Sequence, residues 1–230
     1  QTVTLSARLI RAPHVILRVA CSREGPVTIP LPHMDAEWFG YAGAALMTAM
    51  SLPQIARIVR DRSAAGVSLL TWTLFVLAGT GWLSYGLILQ APAIIVGNLT
   101  FISTTVTVVV LLLRRQRSWP LLSASLVPLL AVALAVAALT RLPGAVASSL
   151  GVLLGIATTV PQLVESIGRR RAGLVSEVSL AALFMLLAGQ ALWLTYGLTR
   201  PDLPMIVANV VAVTVTSSLI VVESRVPAKA

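Results

Sequence analysis

The chain has 230 residues, 57% of them hydrophobic and only 11% charged, with a formal net charge of +9. Soluble domains hold roughly 45–50% apolar and about 25% charged residues, so composition excludes a water-soluble globular fold. The basic excess does not point to nucleic acid. The arginines form short clusters between long apolar blocks, and no basic segment interleaved with aromatics is present, a pattern that fits membrane topology.

Residues 1–33 read as an unstructured tail, or as an upstream segment foreign to the domain. They hold Arg8, Arg11, Arg18 and Arg23, with Pro26, Pro30 and Pro32. Arg18 interrupts their one apolar stretch, which makes it a poor signal-peptide core. Met34, followed by Asp35 and Glu37, looks like a natural start. Seven apolar spans follow, expected at 38–58, 67–89, 92–113, 119–140, 145–167, 178–198 and 203–222. Crossing a bilayer core of about 30 Å takes about 20 apolar residues in a helix. Backbone groups in lipid must pair within the segment, so the spans are helices. The uninterrupted apolar run 106–113 lacks the alternation that a barrel strand requires.

Charge sets the expected orientation. Arg57, Arg60 and Arg62 follow the first span, Arg114, Arg115 and Arg117 the third, and Arg169, Arg170 and Arg171 the fifth; the tail has Arg225 and Lys229. The loops on the other side hold only Arg141 and Arg200. Basic loops stay in the cytoplasm, which puts the C-terminus inside and the N-terminus outside a plasma or inner membrane.

Several chemistries find no residues to support them. Cys21 is the single cysteine, and His14 and His33 both precede the spans, so neither an intrachain disulfide nor a metal site is expected. The spans offer no His, Cys or paired carboxylates as acid, base or nucleophile, so neither an enzyme nor a cofactor is expected. The only lysine is Lys229, so no Schiff base to retinal can form within the last span.

The strongest signal is internal repetition. Ser51-Leu52-Pro53-Gln54-Ile55 near the end of the first span matches Thr159-Val160-Pro161-Gln162-Leu163 in the fifth. Gly43 pairs with Gly151 in the same register. A basic loop follows each Pro-Gln, then Gly66-Val67-Ser68 or Gly173-Leu174-Val175-Ser176. Trp82-Leu83-Ser84-Tyr85-Gly86 matches Trp193-Leu194-Thr195-Tyr196-Gly197, and Asn98 and Asn209 each lie sixteen residues after the tryptophan. A three-helix unit reverses direction, and one intervening span restores it. The expected fold is therefore an all-α membrane protein with two parallel three-helix repeats and a linker helix, a 3+1+3 order. The expected parts are a first repeat over 34–115, the linker over 116–142, a second repeat over 143–222 and a tail over 223–230.

Together these features resemble the PQ-loop/MtN3 superfamily, and within it the SemiSWEET and SWEET sugar transporters. The resemblance covers about residues 38–222. The second and sixth spans carry no proline where eukaryotic SWEETs have one, and in this each half is closer to a SemiSWEET.

Trp82 and Asn98 lie at one depth, about 10 Å and 9 Å from the outer edge by helical rise. Trp193 and Asn209 repeat the arrangement. Indole faces suit the C–H face of a sugar ring, and amides both donate to and accept from hydroxyls. The resemblance implies that these four are the sugar-binding positions. Interfacial belt residues and interhelical hydrogen bonds are the plainer alternatives. Tyr85 and Tyr196 fit an outer gate, although belt anchors fit them better. Pro53 and Pro161 each remove a backbone hydrogen bond, and the resemblance favours hinges over simple helix terminators. Gln54 and Gln162 could satisfy the carbonyls those prolines expose. Gly151 and Gly155 read as a close-packing face. Ser103, Thr104, Thr105, Thr107, Thr214, Thr216, Ser217 and Ser218 could line a path, but each alone fits a bond to the carbonyl one turn back.

No Asp, Glu, Lys or Arg falls in the middle of a span, whereas proton relays and charged-substrate sites need one. The expectation is uncoupled alternating access for a small neutral solute, a mono- or disaccharide, in a lipid bilayer, with a homo-oligomer compatible. The alternatives are a PQ-loop exporter of amino acids or other metabolites, and a non-transport membrane scaffold.

Overall fold

A computed structural model describes residues 36–64, 67–172 and 180–224, without the side chains at 161, 162, 165, 169 and 170. The tail over 1–33, Gly66, the segment 173–176 and the side chains of Pro161 and Gln162 lie outside the described residues.

The regular structure among the described residues is all helical: α1 (Ala36–Ala49), α2 (Leu52–Arg60), α3 (Leu69–Leu89), α4 (Pro92–Gln116), α5 (Leu121–Leu139), α6 (Gly144–Arg171), α7 (Leu180–Thr199) and α8 (Leu203–Ser224). Six spans are long and apolar enough to cross a membrane, counting α1 and α2 together, and α6 adds the shorter apolar stretch Gly144–Val160. The protein is an integral, multi-pass membrane protein.

Local chemistry sets the helix ends. Ser68 opens α3 in an extended conformation, and its hydroxyl accepts from the Thr71 N–H at 3.2 Å. Gln90 ends α3 in the left-handed region (φ 52°), and the Ala91 N–H donates back to the Gly86 carbonyl at 3.0 Å. Pro92 then starts α4, where its missing N–H costs nothing. The first span departs from the continuous helix expected over 38–58. It breaks at Met50 and Ser51, and α2 restarts with Pro53 in its first turn. Pro53 has no N–H to give the carbonyl four residues back, which explains a break at that place. By contrast, α6 runs through position 161 as helix.

The helices pack as two groups, α1–α4 and α6–α8, called the halves below. In the first half α4 lies between α1 and α3; in the second half α8 lies between α6 and α7. The halves meet along two seams, α3 against α6 and α1 against α7. The linker helix α5 packs outside, on α3 and α4, and buries only Ala124. Its exposed leucines, such as Leu122 and Leu134, are what lipid rather than water would cover.

Within α3 and α4 the hydroxyls bond back to their own helix. Thr73, Thr80 and Ser84 donate to carbonyls four residues earlier at 2.7–2.8 Å. Ser103, Thr105 and Thr107 do likewise on α4, as do Thr214 and Ser218 on α8, and Thr104 donates to the carbonyl three residues back at 2.9 Å. This is the plainer of the two roles open to these residues. Thr216 Oγ1 is instead buried without a partner among the described residues, against the bond expected for it.

Candidate functional site

The two tryptophans are placed by glycines of the opposite half. A Cβ on Gly151 of α6 would stand 2.7 Å from Trp82 Nε1, and one on Gly43 of α1 would stand 2.9 Å from Trp193 Cδ1. Both approaches are closer than carbon atoms tolerate, so the glycines are what let each indole cross the seam. Gly97 gives Trp193 a second wall, since a Cβ there would lie 3.0 Å from Cζ2. One turn along, Tyr85 and Tyr196 meet their tryptophans edge to face, at centroid distances of 5.8 and 5.4 Å.

Trp82, Asn98, Trp193 and Asn209 all line one cavity of about 410 Å³ between the halves. The cavity extends from the tryptophans toward the arginine-rich end, as far as Ser51, Trp72, Val160 and Val215. Trp193 and Asn209 are each 8% exposed and Trp82 and Asn98 are half-buried, so none stands at a lipid interface. Each asparagine is held by its own helix. Asn98 Nδ2 donates to the Ile94 carbonyl at 2.9 Å, and Asn209 Nδ2 donates to the Met205 carbonyl at 2.8 Å. That fixes the amide planes and leaves the two oxygens without a protein donor among the described residues. Their environment is otherwise apolar: Ala44, Met47, Phe75, Phe101 and Leu186 share the wall. Among the described residues lining it there is no Asp, Glu, Lys, Arg or His.

At the end where α1 begins, the site is closed. Tyr85, Ala93, Ile94, Tyr196 and Met205 form a packed cluster, with Tyr85 6% and Tyr196 1% exposed. Two polar links cross between the halves above it. Tyr85 donates to Asp202 Oδ1 at 3.0 Å, and the same oxygen accepts the Met205 N–H at 3.0 Å, capping α8. Arg200 pairs with Glu37 and donates to the Tyr196 hydroxyl at 3.0 Å. Glu37 also accepts the Ala93 N–H at 2.7 Å, at the positive end of α4. Tyr85 and Tyr196 are therefore buried and cross-linked, which corrects the belt-anchor reading that the sequence favoured.

Three further expectations change. Gln54 Nε2 is buried with no partner, so this side chain does not satisfy a carbonyl freed by Pro53. The Ser and Thr residues suggested as a path on the third and seventh spans line no part of the cavity. Gly155 does line it and has nothing within 4 Å of a built Cβ, so it lies off the close-packed contact that Gly151 makes. One residue escaped sequence reasoning. Gln190 on α7 lines the cavity at 4% exposure, and its Oε1 has no partner. Its signal was a lone amide one turn before Trp193 in an apolar span, unmatched in the first repeat.

Residues 36–95 match the family described as PQ loop repeat. No curated protein matches the sequence. In structure the chain is similar to a eukaryotic SWEET transporter, with a TM-score of 0.65 over 82% of this chain and 97% of that one, at 13% identity. At that identity the likeness is one of fold.

Proposed function

We propose that this chain, which matches the PQ loop repeat over residues 36–95 and shares its fold with a SWEET transporter, carries a small neutral polyhydroxylated solute, a mono- or disaccharide, by uncoupled alternating access. The observation that carries this reading is the cavity itself, where both halves contribute one tryptophan and one asparagine to the same wall. A sugar ring presents C–H faces for the indoles and hydroxyls for the fixed amide oxygens. A volume of about 410 Å³ suits a ligand of that size.

The mechanism follows from the closure at the end where α1 begins. With the basic loops in the cytoplasm, the closed end faces outward and the cavity belongs to the inward-facing state. The solute then leaves or enters by the inner end. Separation of the halves at Tyr85–Asp202 and Glu37–Arg200 would open the outer end, while bending at Pro53 and Pro161 would close the inner one. Among the described residues the cavity wall holds no Asp, Glu, Lys, Arg or His, so it offers a proton no site beside the solute. The uptake rate should therefore ignore a pH gradient.

The test is uptake of labelled glucose and sucrose into proteoliposomes, alongside a labelled amino-acid panel, with and without a gradient. Saturable, gradient-independent sugar uptake is the expected result. Uptake confined to an amino acid, or driven by protons, would replace this reading with that of a different exporter.

A further inference from the structure

Gln190 departs from the symmetry of the site. It sits three residues before Trp193, 4% exposed, with Oε1 buried and unpartnered, on the cavity wall. Its amide forms no hydrogen bond to any described residue. A buried amide with its bonds unmade weakens the fold unless something in the cavity completes it. Asn98 and Asn209 each give one Nδ2 hydrogen to a carbonyl of their own helix, and Asn209 Nδ2 also lies 3.2 Å from Met205 Sδ. Gln190 has both a donor and an acceptor uncommitted. In the register that pairs Trp82 with Trp193, the first half has Gly79 at this position. Gly79 also lines the cavity, and a Cβ there would stand 2.9 Å from Ile102 Cγ1. The first half thus offers no side chain opposite Gln190, and α4 crowds the place where one would go.

We propose that Gln190 is a specificity-determining contact: its amide pairs with one hydroxyl of the bound solute and holds the solute off the pseudo-two-fold axis, toward the second half. This rests on the transport reading above. The two asparagines can pair with hydroxyls on either side of the axis, but only the second half adds a further amide, where the first half has Gly79. A pseudo-symmetric cavity thereby distinguishes the two ends of an asymmetric sugar.

The experiment is competition by single-deoxy analogues against uptake of the labelled parent sugar, in proteoliposomes of the full chain, for wild type and Gln190→Met. Methionine keeps the length and removes the amide. Wild type should reject one deoxy analogue about tenfold, the value of one lost hydrogen bond. Gln190→Met should bind the parent about tenfold more weakly and lose that one discrimination while keeping the others. Its melting temperature should be unchanged or higher, because no protein bond is broken. Full retention of every discrimination in the variant would overturn the proposal. So would a uniform loss accompanied by a lower melting temperature, which is what a purely structural glutamine would give. Failure of the transport reading shows instead in the wild type, as no uptake of any sugar, and would overturn both.

Discussion

Trp82 and Trp193 stand where they do because Gly151 and Gly43 leave room across the seam. Any side chain at those glycines must push an indole out of the cavity wall or part the helices. Overpacking of this kind costs about 1–3 kcal/mol. Gly43→Val and Gly151→Val should each lower kcat/KM for uptake by at least tenfold and lower the melting temperature. Gly155→Ala, at a position with open space, should leave the melting temperature unchanged. Thermal unfolding and initial uptake rates on the same preparations check both statements. At this scale the sequence was most informative where it repeated itself. The doubled Trp and Asn pointed to one constellation, and the structure brings all four to one cavity. Gln190 was illegible because it has no partner in the other repeat, and whether a lone amide in an apolar span faces a cavity is decided by packing rather than pattern. The tyrosines misled because a ring near a span's end has the same spacing whether it faces lipid or the bundle.

Among the elements, the division of the first span into α1 and α2 is the structural feature with the clearest mechanical use. The break falls at Met50 and Ser51, on the cavity wall, and Pro53 maintains it. Replacing Pro53 by alanine restores an N–H to the carbonyl of Ala49 and favours one continuous helix. Pro53→Ala should leave thermal stability unchanged or raised while slowing solute counterflow about tenfold, as a hinge role requires. Faster or unaltered counterflow would make the break a terminator only. A local control is Ser68→Ala, which removes the α3 cap and should cost about 1 kcal/mol of stability with no change in solute preference. Apolar blocks and the prolines, glycines and arginines between them made the helices and their order legible. The break was not, since a proline this close to a basic loop reads equally well as the end of a span.

For the molecule as a whole, the side-chain hydrogen bonds and ion pairs that join the halves among the described residues lie at one end: Tyr85 with Asp202, and Arg200 with Glu37. Hydrogen bonds between membrane helices average about 0.6 kcal/mol, so such links bias a closure rather than lock it. Tyr85→Phe combined with Glu37→Gln should shift the population toward the outward-open state several-fold. In a background where Cys21 is replaced by serine, a cysteine at the cavity residue Ala78 should then react faster with an impermeant maleimide added outside. The parallel order of the repeats was readable from their odd helix number, but this one-sided zipper was not. Glu37, Arg200 and Asp202 sit in turns and helix starts with no matching pair in the other half, and only the tertiary fold shows them meeting. The central claim is that both halves grip one neutral solute through Asn98 and Asn209. It is tested most directly by sugar uptake in proteoliposomes carrying Asn98→Ala, Asn209→Ala or both, each shown to be helical and monodisperse. Each single change should reduce saturable uptake about tenfold and the pair should abolish it. Uptake indifferent to both asparagines in a folded protein would contradict the account.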